Sequence, residues 1–372
     1  MPLSKIVANS ITDNTITTDQ IADTSVHGRR NLIINGAMQV AQRSTSETGR
    51  SSGGFATMDR FIVSNTGRDE HVYTEAQVSD APDGFVYSFK MTTTTPETSI
   101  DANDGFWVEQ KIEAQNVQHL QNGSSGALST TLSFYVKSSQ TGTFGVSLYK
   151  SDNTARIINS TYTISSADTW EYKTITFAGD TAGGGIDNNN GEGLRDVWHL
   201  AAGSNYDSIN STSWADYGTQ NWAGGHAQDG VITTTNATWQ ITGAQLEIGS
   251  QASPFEHRSF GEELESCKRY FQKVNDLWFN ANRFGDAHWD GHIPAGHHEF
   301  HPEMRAAPSA SNVDIDGWLD GDGDWTSTGS LAAGPTGMTS KKVNFTGNYN
   351  WTGSYNSTHG WRIYTAEYDA EL

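Results

Sequence analysis

Residues 127–151 read ALSTTLSFYVKSSQTGTFGVSLYKS. Two strand-like runs, 127–139 and 142–151, flank the glycine-containing turn QTGT, and the pattern predicts a pair of β-strands joined there. The same rhythm extends on both sides. In GFVYSFKMTTTT, Phe85, Tyr87, Phe89 and Met91 alternate onto one face. In TWEYKTITFAGD, Trp170, Tyr172, Thr174 and Thr176 oppose Lys173, Ile175 and Phe177. In NATWQITGAQLEIG, Trp239, Ile241, Gly243 and Gln245 oppose Leu246 and Ile248. MDRFIVSN and GFWVEQKIEA add further strands, and Asn35-Gly36 marks a turn. Strands at this spacing, with almost no helical periodicity, predict an all-β fold built on a jelly-roll β-sandwich.

Two segments break the rhythm. Residues 183–230 are rich in Gly and Asn and read as one long insertion carrying Trp198, Tyr206, Trp214, Tyr217 and Trp222. So long a loop in a compact domain is usually functional or disordered, and its aromatic content favours order. SFGEELESCKRYFQKV predicts a helix. Ser259 and Glu262 form a capping box, and Phe260, Leu264, Cys267 and Phe271 share a stripe. Turn-rich β patterning then resumes. The expected organisation is an extended N-terminal segment at 1–28, a jelly-roll domain at 29–258, a connecting helix at 259–274 and a smaller C-terminal β domain at 275–372.

The N-terminal segment has its own period. Ile6, Ile11, Ile16, Ile21 and Val26 recur every five residues among polar ones. Five steps of a helix rotate by 140° beyond a full turn, and five steps of a strand alternate faces, so neither makes one apolar side. Burying five such side chains contributes about 10 kcal/mol. Ordering about 20 residues costs roughly 30 kcal/mol. The segment is therefore expected to order only beside identical neighbours or a docking partner, as successive apolar layers around one axis.

The 372 residues carry a net charge of −20, which argues against nucleic acid as a partner. The one cysteine, Cys267, excludes an intrachain disulfide and suits a reducing cytoplasm, where it reads as helix core rather than nucleophile. No run of 18 apolar residues predicts membrane insertion, and no secretory signal pattern opens the chain. No nucleophile-elbow, P-loop or zincin motif points to catalysis.

Two aromatic stretches are candidate binding sites. In 185–230, Trp198, Trp214, Tyr217 and Trp222 can stack on sugar rings while neighbouring Asn, Asp and Gln bond the hydroxyls. The alternative is that these rings cover the sandwich or pack between subunits. In FTGNYNWTGSYNSTHGW (345–361), Tyr349, Trp351 and Tyr355 give rigid contact area beside small polar residues. DIDGWLDGDGDW contributes Trp318 and Trp325 to the same candidate surface. It also places Asp320, Asp322 and Asp324 like the first ligands of an EF-hand loop. Trp325 and Leu331 stand where that loop needs Gly and Glu, so only a looser Ca²⁺ site remains open, and no cofactor is expected. The histidines at 288, 292, 297, 298 and 301 lack a metal-binding spacing.

NLIINGAMQVAQR (31–43), DRF (59–61), WQITGAQLEIGSQASPFEHRSFGEELESCKRYF (239–271), PEMRAAPS (302–309) and the terminal YDAEL together resemble phage tail-fibre and receptor-binding proteins of cyanobacterial and marine phages. The resemblance implies a homotrimer attached through its N-terminus to the virion tail or an adaptor, made in the bacterial cytoplasm. It also implies a carbohydrate-binding-like jelly roll and a distal domain contacting host polysaccharide, without catalysis. The alternative from the same residues is a tailspike depolymerase. Light scattering of the full chain at micromolar concentration is expected to report three times the chain mass; a monomer contradicts the layered reading of Ile6 to Val26.

Overall fold

Alternation predicts which side of each strand faces inward, and burial bears this out for Phe89 and Met91 but not for Phe85 and Tyr87, which precede the strand. The computed structural model describes residues 29–67, 70–281, 296–319, 335–336, 338–345 and 359–372. The segment 1–28, with Ile6, Ile11, Ile16, Ile21 and Val26, lies outside them. The sandwich strands are β1 (Ser46–Arg50), β2 (Ile62–Thr66), β3 (Val72–Val78), β4 (Ser88–Thr95), β5 (Gly105–Glu113), β6 (Thr130–Ser138), β7 (Gly142–Lys150), β8 (Arg156–Ile164), β9 (Glu171–Phe177), β10 (Glu192–Ala202), β11 (Ala215–Asp216) and β12 (Thr238–Ile248). They form two six-stranded antiparallel sheets, β1-β3-β4-β12-β6-β9 and β11-β8-β7-β10-β5-β2, packed as a jelly-roll sandwich.

The structure corrects the expected pairing across QTGT. β6 bonds to β12 and β9, whereas β7 bonds to β8 and β10, so the turn carries the chain from one sheet to the other. Gly142, at φ +136°, makes the corner, and a Cβ there would lie 2.8 Å from Gln228 Nε2. Leu132, Phe134 and Val136 of β6 then face Phe144, Val146 and Leu148 of β7 across one shared core. Each such burial contributes about 1.5–3 kcal/mol. Across the same interior Trp239 Nε1 donates to Tyr162 Oη at 3.1 Å, and the Phe134 ring meets Trp198 edge-on at 5.9 Å.

A β-bulge explains a second difference. Trp239 and Ile241 point inward as expected, but so do Ala244 and Leu246. The register shifts between Thr242 and Gln245, with Gly243 at φ +62°, and the extra residue exchanges the inward phase from odd to even positions.

The segment taken as one insertion contains a central strand. β10 runs through it between β5 and β7, with Leu194, Trp198 and Leu200 in the core. The true loops lie either side. At the first, the buried ammonium of Lys150 meets Gly183 O at 3.1 Å, Gly184 O at 2.6 Å and Asp180 Oδ2 at 3.2 Å. Arg156 Nε holds the other Asp180 oxygen at 2.9 Å. The second loop includes the short helices α1 (Ser204–Asp207) and α2 (Gly230–Thr233).

The helix α3 (Phe260–Lys268) starts at its expected capping box and buries Cys267, whose thiol burial pushes well above the usual range. β13 (Phe271–Ala281) follows at once, so the second β unit begins four residues earlier than expected. Its other strands are β14 (Gly296–Glu299), β15 (Ser309–Leu319), β16 (Pro335–Thr336), β17 (Lys342–Phe345) and β18 (His359–Asp369), in sheets β13-β18-β15 and β14-β17-β16. Its core holds Phe300, Met304, Val343, Ala366 and Tyr368. The base of this unit docks on the sandwich. Arg60, 1% exposed, pairs with Glu371 and lies 3.4 Å from the Tyr270 ring centroid. Arg43 lies 3.7 Å over Phe271 and bonds Asp369 at 2.8 Å. Arg269 binds both oxygens of Glu113 at 2.7 and 2.9 Å.

Asp196 shares the inward phase of β10, and neither carboxyl oxygen meets a donor among the described residues. Burial pushes its pKa up to about 8. Its unfolded counterpart ionises near 3.8, so the folded state loses stability as pH rises from there toward 8. Asp196→Asn, which has no charge to bury, is expected to raise the thermal midpoint at pH 7 by several degrees. The gain should shrink toward pH 4, and a calorimetric pH series measures it.

Candidate functional site

The outer face of the β11-β8-β7-β10-β5-β2 sheet is where the aromatic stretch folds back. Positions opposite to the core phase present Trp107 and Glu109 from β5, Arg195, Val197 and His199 from β10, Ser147 and Tyr149 from β7, and Ile157 and Asn159 from β8. Residues 203–229 cross over them. Trp222 seats itself at the centre, 6% exposed, on Ile157 and Val197. Trp107, Tyr149 and Tyr217 surround it edge-on, with ring centroids 5.6, 5.6 and 5.7 Å away.

A buried polar network fastens this loop. Ser147 Oγ donates to Trp222 O at 2.9 Å and accepts from Asn159 Nδ2 at 2.9 Å. Its remaining contact, His199 Nε2 at 2.9 Å, is therefore an N–H donor. His199 Nδ1 is bare among the described residues. Asn159 also bonds Asn221 O and Ser211 N, both at 2.9 Å. His226 Nδ1 accepts from Gly145 N at 3.0 Å, and its Nε2 lies 3.4 Å from Asp229 Oδ1. Gly224 permits the close approach, because a Cβ there would meet Ile209 O at 2.4 Å and Asn159 Oδ1 at 2.6 Å.

The rim of the cluster remains accessible. Tyr217 is 40% exposed and meets Tyr149 edge-on at 5.2 Å. Arg195 lies 5.4 Å from the Tyr149 centroid and 5.7 Å from that of Trp222. Glu192 grips its guanidinium at 2.9 and 2.7 Å, and Glu109 Oε2 adds a contact at 3.1 Å. Glu109 also accepts from Trp107 Nε1 at 2.8 Å and Ser64 Oγ at 3.0 Å. Ring surfaces beside a fixed set of donors and acceptors suit stacking and hydrogen bonding to a polyhydroxylated ligand.

Of the residues proposed from sequence, Trp198 is corrected: it is 0% exposed in the sandwich core against Phe61 and Phe134, so it touches no ligand. Its inward phase on β10 decides this. Trp222 is likewise a buried seat rather than a contact surface. Trp214 is half-buried, with Nε1 donating to Ala178 O at 2.6 Å. Tyr217 is exposed. Trp318 lies on β15 opposite Gly360 of β18. Trp325, Tyr349, Trp351, Tyr355, Asp320, Asp322 and Asp324 lie outside the described residues. Trp107, Tyr149 and Arg195 were not singled out; they share the outward phase of three neighbouring strands, a signal visible once strand order is known. Among the described residues, no group of His, Cys, Asp and Glu is arranged to hold a metal, and no helix is long and apolar enough to cross a membrane.

No family model and no curated protein matches the chain. Solved structures similar to it include the enzymatically active domain of bacteriophage CBA120 tailspike protein 4, at 14% identity over 59% of this chain and 22% of that one, with a TM-score of 0.33. A CBM4 structure matches at 12% identity over 58% and 98% of the two chains, with a TM-score of 0.29. The family 11 carbohydrate-binding module of a Clostridium thermocellum cellulase matches at 10% over 60% and 97%, with a TM-score of 0.28. The chain thus spans about a fifth of the tailspike domain's length.

Burial, aided by His226, holds the His199 ring well below its usual range of about 6.5. The unfolded ring takes up a proton below that value while the folded ring does not, so stability is lost as pH falls, by about 1.4 kcal/mol per unit. Between pH 7 and pH 5 the urea midpoint is expected to shift less favourably in the parent than in His199→Gln. The difference between the two proteins isolates this ring from carboxyls such as Asp59, whose burial pushes it up to about 6 and whose effect has the opposite sign.

Proposed function

We propose that this chain is a phage tail-fibre receptor-binding protein that attaches the virion to host-surface glycans without cleaving them. The observation that carries the reading is the rim formed by Tyr217, Tyr149 and Trp107 around the clamped Arg195. Exposed ring area is held on a rigid sheet, so little conformational freedom is lost on binding. The sequence blocks at 31–43, 59–61 and 239–271 supply the tail-fibre part of the reading. Glu109 and Glu192 both hold Arg195 and act as positioning groups for its guanidinium, which suits binding better than acid–base chemistry. A homotrimer on the virion tail, attached through residues 1–28, would present three copies, and weak contacts would multiply through effective concentration.

Tyr217→Ala is expected to weaken binding of purified host-surface polysaccharide roughly tenfold, the equivalent of about 1.4 kcal/mol, in a calorimetric titration. Tyr217→Phe should retain most of the affinity. Release of oligosaccharide during the titration would replace the binding reading with a depolymerase, and unchanged affinity in Tyr217→Ala would remove the rim as the site.

A further inference from the structure

The opposite face of the sandwich carries another row of rings. Tyr172 of β9, Tyr135 of β6 and Phe85, ahead of β4, follow one another across the sheet, with centroids 4.8 and 5.5 Å apart. Phe255, after β12, lies 5.0 Å from Phe85, and His257 packs against both, 4.9 Å from Phe255 and 5.3 Å from Phe85. Tyr172 is 46% exposed. Its hydroxyl shares a hydrogen bond with Ser133 on the neighbouring strand β6.

The row is built into the sheet. The bulge that moved the core phase of β12 sets Gly243 beneath Phe85. A Cβ there would lie 2.7 Å from Phe85 Cζ and 3.1 Å from Tyr135 Cδ2. The ring therefore rests directly on backbone. At one end Trp170 Nε1 donates to Asp80 Oδ1 at 3.3 Å, and Lys137, paired with that carboxylate, stands 5.2 Å from the Trp170 ring. At the other end Arg258 is paired with Glu256 at 3.2 Å and Glu263 at 3.6 Å. These bordering charges are paired within the chain, and the Phe85 and Phe255 rings carry no ionisable group.

We propose that this row is a second saccharide site, for a strand of uncharged glycan lying across β9, β6 and β12. It borrows only the ligand class from the function proposed above; the rings themselves are separate from the Tyr217 rim. Each centroid step is close to the length of one pyranose unit, so successive sugars meet successive rings. The ring centroids span at most about 15 Å, a patch far smaller than the ~800 Å² per partner of a stable protein interface. A short neutral ligand fits that size.

The test titrates the full chain with neutral hexasaccharides (cello-, xylo-, laminari- and malto-hexaose) by calorimetry. At least one is expected to bind, with affinity falling roughly tenfold in Tyr172→Ala and in Phe85→Ala, persisting in Tyr172→Phe and persisting in Tyr217→Ala. Binding of none of the four, or binding indifferent to Tyr172→Ala and Phe85→Ala, overturns the second site. In either case the function proposed above still stands if Tyr217→Ala weakens the host polysaccharide. A change in light-scattering mass in Tyr172→Ala without any change in sugar affinity assigns the face to a second copy and likewise overturns the proposal.

Discussion

A guanidinium with almost no access to water ties the molecule together. Arg60 leaves the sandwich turn before β2, pairs with Glu371, donates to Lys111 O at 2.5 Å and lies over Tyr270. Charges so deeply buried are tolerated when paired, and stranding one of such a pair costs about 3–5 kcal/mol. The partners come from the sandwich, from the end of α3 and from the last residues of the second β unit. Neither unit can complete this cluster alone, so the docking of the two is written into both. Arg305 extends the tie, donating to Ala370 O at 2.8 Å, Glu371 O at 3.0 Å and Asn190 O at 2.8 Å.

The sequence blocks that carry the tail-fibre resemblance converge on this junction. Asn35 and Gln42 from the first block bond Glu263 and Asp59. Arg43 reaches Asp369. Tyr270 and Phe271 close the block that begins at Trp239, Arg305 comes from PEMRAAPS, and Asp369 and Glu371 come from YDAEL. Of these side chains, Glu263 also pairs with Arg258 at the border of the Phe85 row. These side chains join the two β units, whereas Tyr217 and Tyr149 sit at the rim and Tyr172 and Phe85 on the opposite face of the sandwich.

Much of the fold was legible because period two is a local property. The inward phase of Ile175 and Phe177, the capping box at Ser259 and the burial of Cys267 follow from near neighbours in sequence. What failed was nonlocal. Alternation says which side of a strand is apolar, not which sheet it joins, so β6 and β7 read as a hairpin. A single residue at Gly243 inverts a phase without altering composition. β10 was hidden because Gly and Asn crowd its flanks, and with it went the interior position of Trp198. The Tyr217 rim was half legible: Tyr217 sits in an aromatic-rich loop, whereas Trp107, Tyr149 and Arg195 come together only through the order of strands.

The setting of Lys150 has a consequence of its own. Two peptide carbonyls and a carboxylate converge on its ammonium, and such an oxygen nest is the kind of environment in which many β-rich domains keep an inorganic ion. Here the positive charge is tethered by four methylenes to a strand of the sheet. A tethered cation cannot be diluted, chelated or exchanged for another ion. The loop it gathers leads into β10 at Glu192, the residue that grips Arg195, and through Asn190 touches Arg305. The loop that leads to both the rim and the joint is thereby gathered by a charge that the chain itself carries.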